Sequence, residues 1–128
     1  MYYGAAYYPE HWPEERWPVD AKLMREAGVN LIRVAEFAWA KIEPKEGVYN
    51  FGWLDRALDV FYKEGIQVVM CTPTPTPPKW LMDKHPSIYK RDENGLVLGF
   101  GSRRHYCYNS EVYREYSAKI AEKVAKHY

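Results

Sequence analysis

The feature that most constrains the fold of this chain is an alternation of short apolar runs with segments of helical periodicity, repeated three times. The apolar runs, which predict strands, lie at residues 2–7, 30–35 and 66–71. The first two helical segments end at Gly28 and Gly65, a residue type that commonly follows the last turn of a helix. Strands that alternate with helices in this way predict a parallel sheet covered by helices.

Two architectures share this alternation, the doubly wound sheet and the eight-stranded barrel. A doubly wound nucleotide-binding protein has a glycine-rich turn after its first strand, where the backbone approaches a pyrophosphate. Here that turn is Tyr-Pro-Glu-His at residues 8–11, without a glycine. The sequence therefore favours an α/β fold made of the first three βα units of a (β/α)8 TIM barrel, which is incomplete in this chain.

Apolar spacing also predicts which side of each helix faces the core. The predicted inward residues are Val19, Leu23, Met24 and Ala27 in the first helix, Trp53, Leu54, Leu58 and Phe61 in the second, and Val112, Tyr116, Ile120 and Val124 in the third. Ser110 is the expected cap of the third helix. The proline-rich residues 72–78 cannot continue a sheet. A short helix is expected at residues 79–84, and a hairpin turn at 92–95.

Composition excludes several classes of protein. The formal net charge of +1 gives no field that would attract a nucleic acid or an anionic membrane surface. No apolar run approaches the ~18 residues of a membrane span, and the first residues lack the pattern of a secretory signal. The expected location is cytoplasmic. Aromatic residues reach 16%, with 5 Trp and 12 Tyr, and such side chains suit sugar rings as well as cores.

Polar and aromatic side chains gather where the predicted strands end, which is the edge where barrel enzymes keep their sites. These candidates are Tyr8, Glu10, His11, Trp12, Glu36, Trp39, Thr74, Trp80 and residues 103–107. The segment 100–107 is the densest, since two arginines, a histidine, a tyrosine and a cysteine occupy a turn-rich stretch. Acids, a cation and several tryptophans at one edge favour a carbohydrate ligand.

Four stretches of the chain resemble glycoside hydrolase family 42. They are YYPEHW at residues 7–12, RVAEFAW at 33–39, TPT at 72–74 with PPKWL at 77–81, and GFGSRRHYC at 99–107. The resemblance runs along the whole chain and implies the N-terminal part, residues 1–128, of the (β/α)8 catalytic domain of a β-galactosidase. It implies no cofactor for catalysis and an oligomeric parent enzyme, often a trimer.

The resemblance implies a retaining mechanism with two glutamates about 5 Å apart, one an acid/base and the other a nucleophile. In the family these glutamates follow the fourth and seventh strands, so both are expected beyond Tyr128. A complete barrel takes about 250 residues. The chain is therefore interpreted as a fragment of a β-galactosidase that carries no catalytic residue and is inactive alone.

Two residues of the segment 99–107 match functional positions of the family. Arg103 matches an arginine that binds galactose beside the acid/base. Cys107 matches a position that, in some members, joins three later cysteines around a structural zinc, and four thiolates would form a closed tetrahedral site. The other three ligands are expected beyond Tyr128.

Other assignments are weaker. Glu36 and Glu43 could form a carboxylate pair, but an orienting role for Glu36 and a loop position for Glu43 are favoured. His11 and His105 lack the His-Glu-x-x-His spacing of a metalloenzyme. Two alternatives stay open: a non-catalytic carbohydrate-binding partial barrel, and a half-barrel completed by a second chain that carries the glutamates.

Overall fold

The computed structural model describes residues 1–101 and 103–128. Its strands and α-helices are, in chain order, β1 (Gly4–Ala6), α1 (Trp17–Glu26), β2 (Leu31–Val34), α2 (Trp39–Ile42), α3 (Gly52–Lys63), β3 (Gln67–Met70), α4 (Lys79–Lys84) and α5 (Glu111–His127). Short 3-10 helices lie at Pro9–His11, Glu14–Arg16 and Pro86–Ile88.

The described chain divides into two compact units. The first comprises Met1–Ala35 and Asn50–Cys71, and it contains the three strands with α1 and α3. The second comprises Glu36–Tyr49 and Thr72–Tyr128, and it contains α2, α4 and α5.

The sheet of the first unit is parallel, as the sequence predicts. Its order is β1-β2-β3, so β2 lies in the centre. Ala5 is opposite Ile32 in one pair, and Ile32 is opposite Val68 in the other. The strands are shorter than predicted, and all three residues of β1 are exposed although a buried strand was expected. In the central strand β2, by contrast, Ile32 and Val34 are buried and Arg33 between them is exposed.

Helix α3 agrees with its predicted face. Trp53, Leu54, Leu58 and Phe61 are all buried, and Ala57 joins them. Gly65 then takes a φ of +71°, in the left-handed region that glycine adopts without strain. The apolar spacing within α3 and the glycine after it are both local features of the sequence. For this reason the periodicity predicted the helix correctly.

The predicted face of α1 is wrong. Val19 and Leu23 are 53% and 55% exposed, whereas Trp17, Asp20 and Ala21 are buried. Helix α1 carries apolar residues on two sides, and it packs the Trp17 and Ala21 side against its own unit.

A polar network makes the burial of Asp20 possible. The Tyr7 hydroxyl donates to Asp20 Oδ2 at 2.9 Å, and Arg16 Nε donates to Oδ1 at 2.7 Å. Burial is the main cause that raises the pKa of Tyr7 well above its ordinary value, and the hydrogen bond to Asp20 raises it further. The buried carboxylate is therefore satisfied on both oxygens, as buried charges require.

The second unit contains most of the predicted turns and caps. Ser110 caps α5 by accepting a hydrogen bond from the Tyr113 N–H at 3.2 Å. Helix α4 has the predicted bounds, and residues 91 and 97 pair across the predicted turn. Asp92 Oδ1 closes that turn by accepting from the Asn94 and Leu96 N–H groups.

Helix α5 agrees only partly with its predicted face. Ile120 and Val124 are buried, but Val112 and Tyr116 are only half-buried, and Tyr113 takes a buried place that the periodicity did not assign. The four-residue helix α2 was not predicted from the sequence. A single turn is too short to show a period.

Gly4 lies where two strands approach closely, and this contact generates a test of the sheet. A Cβ at residue 4 would lie 2.0 Å from the Leu31 carbonyl oxygen. Gly4→Ala should therefore lower the free energy of unfolding by about 1–3 kcal/mol, because backbone atoms must shift to admit the methyl group. Urea-induced unfolding of the two proteins measures the difference.

The matched control is Gly52→Ala at the first position of α3, where the nearest atom to a Cβ is Arg56 Nη1 at 3.7 Å. This variant should keep or slightly raise stability, since alanine is favoured over glycine in a helix by about 0.5–1 kcal/mol. Equal stabilities for the two variants would contradict the close approach of β1 and β2.

Candidate functional site

The residues predicted to lie at the strand ends are distributed over both units, and each unit is described by itself. Tyr8, Glu10, His11 and Trp12 belong to the first unit. Glu36, Trp39, Thr74, Trp80 and residues 103–107 belong to the second. Ser102, part of the segment 100–107, lies outside the described residues.

The centre of the candidate site is an ion pair in the second unit. Arg103 Nη2 donates to Glu36 Oε1 at 2.9 Å, across 67 positions of sequence. The Glu36 side chain is only 10% exposed, whereas that of Arg103 is 54% exposed. The pair therefore combines a nearly buried carboxylate with a guanidinium that still faces solvent.

An aromatic ring supports the same guanidinium. The Arg103 Cζ atom lies 5.1 Å from the centroid of the Phe37 ring, within the range of a cation–π contact. The Phe37 carbonyl oxygen in turn accepts from Thr76 Oγ1 at 3.2 Å. Neither contact was predicted, because nothing local in the sequence relates residue 37 to residues 76 and 103.

Two non-glycine residues with positive φ flank the ion pair. Ala35, directly before Glu36, has a φ of +68°, and Arg104, directly after Arg103, has a φ of +61°. Left-handed conformations cost a non-glycine residue roughly 1–2 kcal/mol. The Arg104 N–H donates to the Pro75 carbonyl oxygen at 3.2 Å, which fixes one of these turns. Each member of the ion pair is therefore adjacent in sequence to a residue whose backbone conformation is constrained.

A pocket of about 190 Å³ adjoins Arg103. Its other lining residues are Phe37, Ala40, Thr76, Pro77, Pro78, Phe100, Gly101 and His105. Ligand pockets commonly measure about 300–1,000 Å³. The pocket is therefore smaller than a typical ligand site, and an exposed arginine lies in it beside proline and phenylalanine side chains.

His105 and Tyr106 serve packing. His105 is 2% exposed, and its ring lies 5.1 Å from that of Phe100 in an edge-to-face arrangement. Tyr106 stacks on Tyr113 with ring centroids 3.9 Å apart. Burial, together with a hydrogen bond to Tyr113, raises the pKa of Tyr106 above its ordinary value.

Glu43 is a structural carboxylate. It is 4% exposed; its Oε2 accepts from Trp39 Nε1 at 2.8 Å, and its Oε1 accepts from the Gly47 N–H at 2.9 Å. The Glu43 carbonyl oxygen also accepts from Trp80 Nε1 at 2.9 Å. Trp39 is fully buried, so among the second unit's candidate tryptophans it packs in the core and cannot stack on a sugar.

In the first unit, residues 8–12 form a compact aromatic turn. Tyr8 and His11 have ring centroids 5.4 Å apart, and Trp17 Nε1 donates to the Pro9 carbonyl oxygen at 3.1 Å. Trp12 is 46% exposed and lies under the Arg16 guanidinium at 5.1 Å. Its ring is therefore accessible.

Both cysteines are half-buried and reduced. The Cys107 N–H donates to the Ile88 carbonyl oxygen at 2.7 Å, and Cys107 lines a second pocket of about 430 Å³ with Tyr108. Among residues 1–101 and 103–128, no three His, Cys, Asp or Glu side chains are grouped closely enough to hold a metal ion. In the same residues, every helix is too short or too polar to cross a bilayer.

Comparison with known proteins assigns the chain to a family. A family profile described as "Beta-galactosidase" matches residues 6–128. The chain is 50% identical over 128 residues to the β-galactosidase Bga of Halorubrum lacusprofundi, covering 100% of this chain and 18% of that protein. It is 52% identical over 125 residues to a β-galactosidase of Thermus thermophilus, covering 98% and 19%.

Solved structures give the same result. The polyextremophilic β-galactosidase from the Antarctic haloarchaeon Halorubrum lacusprofundi matches with a TM-score of 0.95 and 50% identity over 100% of this chain and 19% of that structure. The β-galactosidase from the psychrophilic Marinomonas ef1 matches with a TM-score of 0.95 and 49% identity, over 100% and 20%. The chain thus spans about one fifth of the length of these relatives.

The buried contact between Trp39 and Glu43 supports a test of the structural role of Glu43. Trp39→Phe removes the indole N–H donor and leaves a buried carboxylate oxygen without it. The free energy of unfolding should fall by about 1–3 kcal/mol, the typical cost of such a loss. Trp12→Phe, at an exposed ring, is the control and should change it by less than about 0.5 kcal/mol. Chemical denaturation measures both, and equal effects would show that the buried contact adds nothing.

Proposed function

Because the chain belongs to glycoside hydrolase family 42, we propose that it is part of a retaining β-galactosidase that removes terminal non-reducing β-D-galactose residues from β-D-galactosides. The support is the profile match over residues 6–128 and the identity of 44% or more to named β-galactosidases. The substrate class is a galactoside.

The fold class predicted from the sequence is confirmed. The three parallel strands, each followed by helix, have the fold of the corresponding part of the barrel in these β-galactosidases, with TM-scores of 0.95. The description of the chain as one part of a family 42 protein also agrees with the one-fifth of each relative that it covers.

Arg103 carries the proposed role of this chain in substrate binding. It is exposed, it lies beside an apolar pocket, and Glu36 and Phe37 fix its guanidinium. A guanidinium has five N–H donors in a planar fork, so donors remain for a second partner after one contact with Glu36. We propose that this second partner is a hydroxyl of the galactosyl ring.

In the proposed mechanism, both catalytic glutamates lie outside these 128 residues. One protonates the glycosidic oxygen while the other attacks the anomeric carbon, and a water activated by the first then releases galactose. Within the described chain, Glu43 accepts from the Trp39 indole and from the Gly47 N–H, and Glu36 accepts from Arg103. These contacts suit structural carboxylates, so the contribution of this chain is to bind and orient the sugar.

The same proposal includes three further features. No cofactor takes part in catalysis, the parent protein assembles as a homo-oligomer, a trimer in the family's usual form, and Cys107 supplies one thiolate to a structural zinc. The described residues hold no group of three potential ligands, so the proposal takes the other three ligands from the rest of the parent. The cytoplasmic location stays a prediction from the sequence.

Arg103→Ala in the full-length protein tests the binding role. The KM for a chromogenic β-galactoside and the inhibition constant of galactose should rise about ten- to a hundredfold, the range for one hydrogen bond to a charged group. Arg91→Ala is the matched control. The Arg91 guanidinium also donates to an oxygen of the chain, the Gly95 carbonyl, in an exposed hairpin. Its kinetics should match the unmodified enzyme. No β-galactosidase activity in the full-length protein would overturn the proposed function itself.

Zinc content tests the role of Cys107. Purified full-length protein should contain about one zinc ion per chain, by elemental analysis, because four thiolates close a tetrahedral site. Cys107→Ser should lose that ion, and Cys71→Ser, at the other half-buried cysteine, should keep it. Zinc retained by Cys107→Ser would remove Cys107 from the site.

A further inference from the structure

The ion pair between Glu36 and Arg103 has an asymmetry that suggests a role for Glu36. Its carboxylate is nearly buried, with a side chain 10% exposed, whereas the guanidinium that it holds is 54% exposed. A pair that served stability alone would contribute little at such exposure, since solvent screens it. The carboxylate is thus fixed inside the unit, and the guanidinium is held at its surface.

Three contacts restrict Arg103 before any ligand arrives. Glu36 Oε1 accepts from its Nη2 at 2.9 Å, the Phe37 ring lies 5.1 Å from its Cζ, and the loop that bears it is tied to Pro75 by the N–H of residue 104. An unrestrained arginine retains much rotamer freedom, all of which a ligand would have to remove. A restrained one binds more tightly because that ordering has already occurred during folding.

The backbone points to the same pair. Ala35 and Arg104 are the two non-glycine residues with positive φ in the described chain, and each is the immediate neighbour of one member of the pair. Strained backbone persists where surrounding structure enforces it, and it concentrates at functional sites. Ala35, in the left-handed conformation, directly precedes Glu36. Arg104, in the same conformation, directly follows Arg103.

From this geometry we infer that Glu36 is a positioning residue, which orients the Arg103 guanidinium toward the galactosyl group and does not itself contact the sugar. The inference rests on the proposed function of Arg103. It assigns to Glu36 an effect on substrate affinity that acts entirely through Arg103, with Phe37 as the surface against which the guanidinium lies.

A double-mutant cycle in the full-length enzyme tests this assignment. Glu36→Ala should lower kcat/KM for a chromogenic galactoside about three- to thirtyfold, the range for coupled neighbours, with a parallel rise in the inhibition constant of galactose. The same substitution in an Arg103→Ala background should change kcat/KM less than about twofold, because no guanidinium remains to be positioned. Glu36→Gln keeps an acceptor oxygen and should recover part of the loss.

Glu46→Ala is the matched control. The Glu46 carboxylate accepts from Lys84 Nζ at 2.5 Å and from the Tyr116 hydroxyl at 2.6 Å, and these contacts hold its pKa below the ordinary value. It is thus an ion-paired glutamate of the same unit that lies outside the pocket lining. Its removal should leave kcat/KM and the galactose inhibition constant unchanged.

The outcomes separate the two hypotheses. If Arg103→Ala weakens galactose binding but Glu36→Ala does not, only the positioning role fails. An equal loss from Glu36→Ala in both backgrounds would also overturn it, because Glu36 would then act independently of Arg103. A lower melting temperature with unchanged KM would reduce Glu36 to a structural residue. If Arg103→Ala itself has no effect on galactose binding, the proposed role of Arg103 is wrong, and the role of Glu36 falls with it.

Discussion

The parallel pairing of β2 with both of its neighbours is the constraint on which the first unit depends. Each neighbour pairs with β2 in the same direction, so all three strands end at one edge of the sheet. Ile32 and Val34 are buried and Arg33 between them is exposed, which also fixes the register, because a shift by one residue would place Arg33 in the core. The segments that follow the strands therefore begin at a common edge, and in a parallel barrel this edge carries the functional side chains.

A residue in the left-handed conformation, Ala35, directly follows the last residue of β2. Ala35 is completely buried with a φ of +68°, and Glu36 follows it directly. A conformation that costs roughly 1–2 kcal/mol persists only when other contacts enforce it. In the second unit the neighbouring segment is tied down, since Thr76 donates to the Phe37 carbonyl oxygen. The strain is local, whereas the contacts that hold it come from distant parts of the sequence.

Sequence reasoning succeeded where the cause of a structure is local. The bounds of α4, the buried face of α3, the cap at Ser110 and the turn at 92–95 each follow from residues within one or two turns. It failed where two local patterns compete or where the cause is distant. Helix α1 has two apolar sides, and only packing selects the side of Trp17 over that of Leu23. The burial of Asp20 depends on Tyr7, and the pairing of Glu36 with Arg103 spans 67 positions, so no periodicity could reveal either.

The acceptor roles of two carboxylates fit the proposed function of this part of the chain, which is binding and not bond cleavage. A catalytic glutamate must exchange a proton with, or attack, an incoming group, which requires that its oxygens be available in the transition state. Glu43 uses both oxygens on internal donors, and the Glu36 carboxylate is nearly buried and bonded to Arg103. An arginine has the opposite property, because it keeps donors after one contact and never loses its charge. In the proposed role, Glu36 holds Arg103 as a preorganised hydrogen-bond donor at the surface of the unit. The entropy cost of ordering this arginine is then incurred during folding and not on binding.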